Sequence, residues 1–230
     1  MPTFRSACPY DCPEGCSLLV ETDGERVTAI TGDPANPYTG GVICGKMRRL
    51  PGAVNSPERI LTPLRRAGGK GEGRFVPVTW EEALEEIAAR WKELMARYGP
   101  ETILPCSYAG TMGAVQRHGG EGFFHDLGAS DLVRTLCSSG KGAGWESVMG
   151  ASCDLSPWEV GESDLILLWS ADVAATRLHL GPIIRGAKER GARVTLIDVY
   201  ENGSAPLADE MLLVRPGTDG ALALAMLRVL

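Results

Sequence analysis

The sequence predicts an α/β protein in which a small β-rich module precedes a doubly wound parallel sheet, and three observations predict it. Residues 1–57 concentrate Cys, Pro and Gly around short β-type runs, with too little apolar sequence for a large core. Residues 79–98 read as a capped amphipathic helix. Residues 164–214 carry three apolar runs, the first two separated by a helical segment, and strand, helix, strand in that order gives right-handed parallel units. The chain divides accordingly into segments 1–57, 58–135 and 136–230, of which the second and third read as incomplete.

Taken in order, Ser17–Glu21 and Arg26–Ile30 are strands joined at Asp23-Gly24, a hairpin signal because Gly accepts positive φ. Residues 58–78 hold Pro63, Pro77 and a run of Gly from Gly68 to Gly73, and read as an exposed connection. Thr79 then offers an N-cap oxygen and Glu82 completes a capping box. Trp80, Leu84, Ile87, Trp91, Leu94 and Tyr98 follow in steps of four and three, which predicts one buried face, and Gly99-Pro100 stops the helix. Thr102–Pro105 is a short strand candidate and Tyr108–Gly113 a Gly-rich loop. Asp164–Trp169 is a continuous apolar run, as expected of a strand covered on both faces. Leu180–Arg190 is its crossover helix, Arg193–Asp198 a second buried strand and Met211–Val214 a third. Asp219–Leu230 is an Ala/Leu helix without a terminal cap, which predicts a chain that stops in mid-domain.

Composition narrows the function classes. Lys and Arg number 23 against 29 Asp and Glu, a net charge of −6 with no long basic run, so a broad nucleic-acid footprint is not expected. No apolar run reaches the length needed to span a bilayer, and neither a signal-type opening nor a twin-arginine pair precedes the first motif, which predicts a cytoplasmic protein. His118, His125 and His179 form no zinc-protease pattern and read as hydrogen-bonded structural residues. No Walker A or G-x-G-x-x-G signature is present.

The cysteines carry the chemistry. Cys8, Cys12 and Cys16 place three thiols in nine residues, and Cys44 stands apart with 27 residues between it and Cys16. Zinc sites usually take two separated pairs, each knuckle supplying half a tetrahedron. A cubane [4Fe–4S] cluster can be wrapped by one compact loop with a remote thiolate as fourth ligand, which fits this spacing better. Pro9 and Pro13 stiffen the loop and Gly15 permits close backbone approach. A structural zinc site and a cytosolic disulfide remain as alternatives. A radical S-adenosylmethionine enzyme fits less well, because the second spacing is three residues rather than two and Cys44 fills the ligand position such enzymes leave open.

The Cys8-Pro9-Tyr10-Asp11-Cys12-Pro13-Glu14-Gly15-Cys16 opening resembles the molybdopterin oxidoreductases of the dimethyl-sulfoxide-reductase superfamily. The likeness continues through Val27–Pro34, Gly41–Lys46, Arg59–Leu64, Val78–Leu84 and Arg215–Ala221, in order along the whole chain. The resemblance implies a proximal [4Fe–4S] cluster on Cys8, Cys12, Cys16 and Cys44, and Lys46 as the residue between cluster and pterin. It also implies a molybdenum or tungsten ion held by two molybdopterin guanine dinucleotides, with Cys137 at the position of the protein ligand to that metal, a soft donor for a soft metal. Cys106 and Cys153 match nothing in the pattern and read as core residues.

The last third resembles the guanine-dinucleotide-binding, Rossmann-like part of these enzymes. Trp169–Val173 lies where the family often has Gly-x-Asn, and Ser and Asp stand there instead. Asp198 ends a strand where a carboxylate can accept from ribose hydroxyls or guanine nitrogens, and Gly217, Thr218 and Asp219 form a turn before a helix suited to a base edge or phosphate. Ser138 stands where formate dehydrogenases of the family carry a histidine, which counts against formate as substrate. The implied activity is two-electron oxidoreduction of a small molecule, with electrons passing singly by way of Lys46 and the cluster to a redox partner, an iron–sulfur or other electron-transfer protein. Family catalytic subunits are much longer, so the chain is expected to be the N-terminal portion of one or to be completed by another chain. The alternative is an iron–sulfur electron-transfer or scaffold subunit of the same fold without molybdenum or tungsten.

Overall fold

A computed structural model supplies the fold and describes every residue of the chain except 108, 109, 111, 112, 114, 116, 117, 136, 137 and 152–154. The chain opens with β1 (Thr3–Ala7), β2 (Ser17–Thr22) and β3 (Val27–Gly32), an antiparallel sheet in the order β1-β2-β3. The β2–β3 turn is made where the sequence places it: Asp23 Oδ1 accepts from the N–H groups of Glu25 and Arg26, the side-chain turn for which Asp is suited. β1 is an addition to the expected hairpin. Its one large apolar residue, Phe4, is 56% exposed, so the strand leaves no alternating pattern to read.

After β3 the chain turns back across its own end. Gly41 lies so close to Gly32 that a Cβ on Gly32 would overlap the Gly41 carbonyl, so glycine is required at position 32. Asn36 Oδ1 caps the N–H groups of Tyr38 and Thr39 while its Nδ2 donates to Ser17 Oγ. The turn leads into α1 (Gly45–Val54), whose Met47 is buried with Cys16, Leu18 and Ile43 in a small core. Asn55 Nδ2 ties the helix end to the Val27 carbonyl at 2.7 Å.

Residues 58–78 are more than a connection. They contain a hairpin of β4 (Leu64–Arg66) and β5 (Phe75–Pro77), strands of three residues that are too short to show a period. α2 (Trp80–Tyr98) begins at Thr79 with the reciprocal capping box and ends at Gly99. Its apolar face is not buried within this chain: Trp80 is 65%, Leu84 59% and Ile87 47% exposed. Glu86 pairs with Arg65 of β4 at 3.6 Å, and toward the C-terminal half Trp91 stacks near Phe123 and Phe124. The strand expected at 102–105 is absent; Pro100–Thr102 form a turn of 3₁₀ helix and the following residues are irregular, because Pro100 opens a helical turn and Pro105 lacks the N–H a ladder needs. Beyond it lie α3 (Glu121–Leu127), α4 (Ser139–Met149) and α5 (Pro157–Gly161).

The last segment is a parallel sheet of β6 (Leu165–Trp169), β7 (Arg193–Asp198) and β8 (Glu210–Leu213) in that order. β6 leads through the short α6 (Val173–Thr176) into the crossover helix α7 (Leu180–Glu189), and α8 (Asp219–Val229) closes the chain. The core sits on one face: Ile166, Leu168, Val194 and Leu196 pack against Ile184 and Ala187 of α7 and against Leu207. On the opposite face Leu165, Leu167 and Leu212 are 59%, 39% and 38% exposed. The expectation of β6 as a strand covered on both faces is therefore not met among the described residues. Among the described residues no helix buries Leu165, Leu167 or Leu212.

Candidate functional site

The cysteine motif is the tip of a hairpin. Ala7 pairs with Ser17, and the Cys8 N–H donates to the Cys16 carbonyl at 2.9 Å, so the sheet closes a loop whose two ends are both cysteines. Gly15, at φ +54°, turns the chain back into β2 in a conformation that disfavours any side chain. Cys44 arrives from the other direction as the residue before α1, and its neighbours Ile43 and Met47 pack on Cys16 and Leu18. Cys8, Cys12, Cys16 and Cys44 thus line one pocket together with Lys46. Among the described residues no three His, Cys, Asp or Glu groups gather tightly enough for a single metal ion.

Burial pushes the Cys16 thiol up to about 11, and the charges of Cys8, Cys12, Glu14 and Cys44 push in the same direction. A bound cationic centre would oppose that push and favour the deprotonated form of the Cys16 thiol. Three thiols on one loop and a fourth from a helix start fit a compact iron–sulfur body, so the donor set passes the test for a [4Fe–4S] cluster.

The pocket's far wall comes from the parallel sheet. Ala175, Thr176, Leu178 and His179, between β6 and α7, face the thiols, and Cys12 Sγ lies 3.8 Å from the Thr176 carbonyl. Here His179 meets Glu14, which sits inside the cysteine loop. The His179 backbone N–H donates to Glu14 Oε2 at 2.9 Å, its Nδ1 pairs with the same oxygen, and Tyr38 donates its hydroxyl to Glu14 Oε1 at 2.9 Å. Burial and the Glu14 carboxylate raise the Tyr38 pKa well above the usual phenol range, so it stays a donor. Glu14 and Tyr38 have no counterpart among the expected site residues, and His179 carried no role beyond structural hydrogen bonding.

The expected nucleotide residues gather at the carboxyl ends of the strands, where ligands of open parallel sheets bind. Ser170, just past β6, holds φ +48°, a left-handed conformation in a residue other than Gly. Asp172 Oδ1 caps the N–H of Ala175 at the start of α6. Asp198, buried at the end of β7, has both carboxylate oxygens engaged, one by the Val199 N–H and one by Asn202 Nδ2, so it shapes its own loop. Gly217 turns at φ +81°, the Thr218 hydroxyl donates to the Arg215 carbonyl, and Asp219 accepts from Trp169 Nε1.

Several expectations resolve differently. Cys137 and Cys153 lie outside the described residues. Cys106, expected in the core, is exposed on the irregular stretch after Ile103. Lys46 borders the thiol pocket with an exposed side chain. His118 and His125 pair with Glu121 and Asp131 on the surface. Among the described residues no helix is long and apolar enough to cross a membrane.

Comparison with known proteins follows this division of the chain. Over 228 residues the chain is 38% identical to the probable oxidoreductase YoaE of Bacillus subtilis, covering 99% of this chain and 34% of that protein. It is 28% identical to the thiosulfate reductase molybdopterin-containing subunit PhsA of Salmonella typhimurium, covering 100% of this chain and 29% of that subunit. The acetylene hydratase of Pelobacter acetylenicus superposes with a TM-score of 0.77 at 25% identity, over 98% of this chain and 31% of that one. The chain therefore spans about a third of the length of the relatives it matches. Residues 1–56 match the molybdopterin oxidoreductase Fe4S4 domain and residues 59–230 the molybdopterin oxidoreductase domain, and the chain belongs to the molybdopterin oxidoreductase family.

Proposed function

We propose that this chain is the N-terminal part of the catalytic subunit of a molybdenum- or tungsten-dependent oxidoreductase, working in the cytoplasm on a small-molecule substrate and passing electrons between a bis(molybdopterin guanine dinucleotide) centre and a proximal [4Fe–4S] cluster. The observation that carries the reading is the pocket in which Cys8, Cys12, Cys16 and Cys44 face Lys46 and the segment that follows the first strand of the parallel sheet. When bound, the cluster supplies one-electron transfer and the pterin-held metal two-electron redox chemistry.

The residues of this chain have distinct tasks in that reading. The four thiolates hold the cluster, and apolar neighbours such as Ile43 and Met47 keep water from one side of it. Lys46 places a positive charge beside the thiols, which eases the arrival of an electron. Gly217, Thr218 and Asp219 offer a glycine turn and a helix start to a guanine dinucleotide, and Asp198 holds the neighbouring loop in shape. Cys137 is the proposed protein ligand to molybdenum or tungsten. The rest of the catalytic subunit, or a completing chain, supplies the remaining cofactor contacts, and an iron–sulfur or other electron-transfer protein takes the electrons.

Metal and sulfide analysis with EPR on anaerobically purified protein, together with any co-purifying chain, tests this. Iron and acid-labile sulfide in equal amounts with molybdenum or tungsten is the expected result. Iron and sulfide without either heavy metal replaces the reading with an electron-transfer or scaffold subunit. Zinc without iron overturns it.

A further inference from the structure

Glu14 and His179 are 165 residues apart in sequence, and their side chains are 4% and 6% exposed. Glu14 lies between Cys12 and Cys16, while His179 is the N-cap of the crossover helix α7. The carboxylate therefore sits at a helix N-terminus, where the backbone N–H and the helix dipole both favour it. On the other edge of the ring, His179 Nε2 faces the Val42 carbonyl at 3.1 Å, and Val42 lies two residues before Cys44. One imidazole thus grips both cysteine-bearing segments.

The ring thus meets a partner at each nitrogen, Glu14 Oε2 at Nδ1 and the Val42 carbonyl at Nε2. With the Tyr38 hydroxyl on Oε1, the Glu14 carboxylate and both ring nitrogens of His179 are all partnered. Aromatic packing completes the joint: the Tyr38 ring lies 5.0 Å from that of Trp158 in α5 and 5.5 Å from that of His179. Surface salt bridges can form and break independently, whereas this buried pair cannot part without leaving polar groups stranded.

We propose that the buried Glu14–His179 pair is a positioning latch that docks both cysteine-bearing segments onto the crossover helix of the parallel sheet and so fixes how a cluster held by those cysteines is oriented toward the nucleotide-binding edge. The latch rests on the cluster reading given above, but its mechanical half can be read without the cluster. Neither residue is one of the four cysteines proposed to hold the cluster; both act through the cysteine segments they hold.

The test uses the full 230-residue chain, reconstituted anaerobically with iron and sulfide, with hydrogen exchange and EPR of the reduced protein as readouts. His179→Ala is expected to keep its iron within about twofold while exchange rises at least about tenfold in segments 8–16 and 174–180 together. The EPR signal of the reduced cluster is expected to broaden into several overlapping forms. Should that variant fail to fold, Tyr38→Phe removes one donor to Glu14 and keeps the ring packing, and a smaller joint rise in the same two segments is expected. Leu207→Ala weakens the same sheet's core without touching Glu14, and is expected to leave the EPR line shape unchanged. Unchanged exchange and line shape in His179→Ala overturn the latch, and so does an equal EPR change in Leu207→Ala. If the wild-type chain takes up no iron, the cluster reading fails while the exchange comparison still decides whether the two segments are latched.

Discussion

Trp169 Nε1 donates to Asp219 Oδ1 at 2.8 Å, joining the end of β6 to the first turn of α8 across fifty residues of sequence. The bond closes the carboxyl edge of the sheet, because it holds the turn at Gly217-Thr218 against the loop that begins at Ser170. Asp219→Ala removes the acceptor and leaves a partly buried indole N–H unpaired. The expected cost is about 1 kcal/mol of stability, read as a lower urea midpoint, with a shift in tryptophan emission that an Asp219→Asn variant largely avoids. An unchanged emission spectrum in Asp219→Ala would show that the indole is held by something else.

How much of this was legible in the sequence depended on distance along the chain. The cysteine loop is readable because its geometry is local: nine residues define it, and the flanking strand β2 carries a short apolar run, Leu18-Leu19-Val20. The capping box at Thr79 and Glu82 and the Asp23 turn are readable for the same reason. β1, β4 and β5 are not, since three to five residues exposed throughout carry no period above noise. Periodicity also states which face is apolar without stating what covers it, so Leu84 and Leu165 look like core residues in sequence and stand exposed in the fold. His179 was recognisable as a hydrogen-bonded residue, but its partner Glu14 could be found only when the fold brought the two together.

Ser204 shows how the loop wall facing the thiols is kept in place. Its hydroxyl donates to the Ala171 carbonyl and accepts from the Val173 N–H, and it is fully buried. Ser204→Ala strands both backbone groups without creating much space, so a loss of about 1–3 kcal/mol is expected by chemical denaturation. Ser204→Cys, with its weaker and longer contacts, falls between the two. A Ser204→Ala variant as stable as wild type would mean that water replaces the hydroxyl.

Asp209 gives the chain an acid-sensitive contact. Its carboxylate receives Lys188 Nζ at 2.9 Å and the Val194 N–H at 2.8 Å, and these hydrogen bonds, Lys188 first, hold it below the usual carboxylate range. A depressed folded-state value stabilises the fold above the unfolded-state value, near 3.9, and that stabilisation is lost as pH falls through the folded-state value. Asp209→Asn is therefore expected to unfold at lower urea than wild type at neutral pH, with the gap closing on acidification below about pH 4. A gap that stays constant from pH 7 to about pH 2 would show that the contact contributes through geometry rather than charge.

The uncovered face of α2 allows a prediction opposite to the one its sequence suggests. Buried leucines and isoleucines cost several kcal/mol to truncate, about 2–5 in well-packed cores. Leu84 and Ile87 are 59% and 47% exposed, and Trp80 beside them is more exposed still. In this chain, Leu84→Ser with Ile87→Ser is expected to change unfolding stability by less than about 1 kcal/mol, mostly through the small loss in helix propensity. The same pair is expected to lower self-association measured by light scattering, since it breaks a contiguous apolar surface. A loss as large as that of Ile184→Ala, whose side chain is fully buried in the sheet core, would show that the face is covered in solution after all, by a second copy of the chain. Because such cover depends on concentration, the loss would shrink on dilution, which separates it from burial within a single chain.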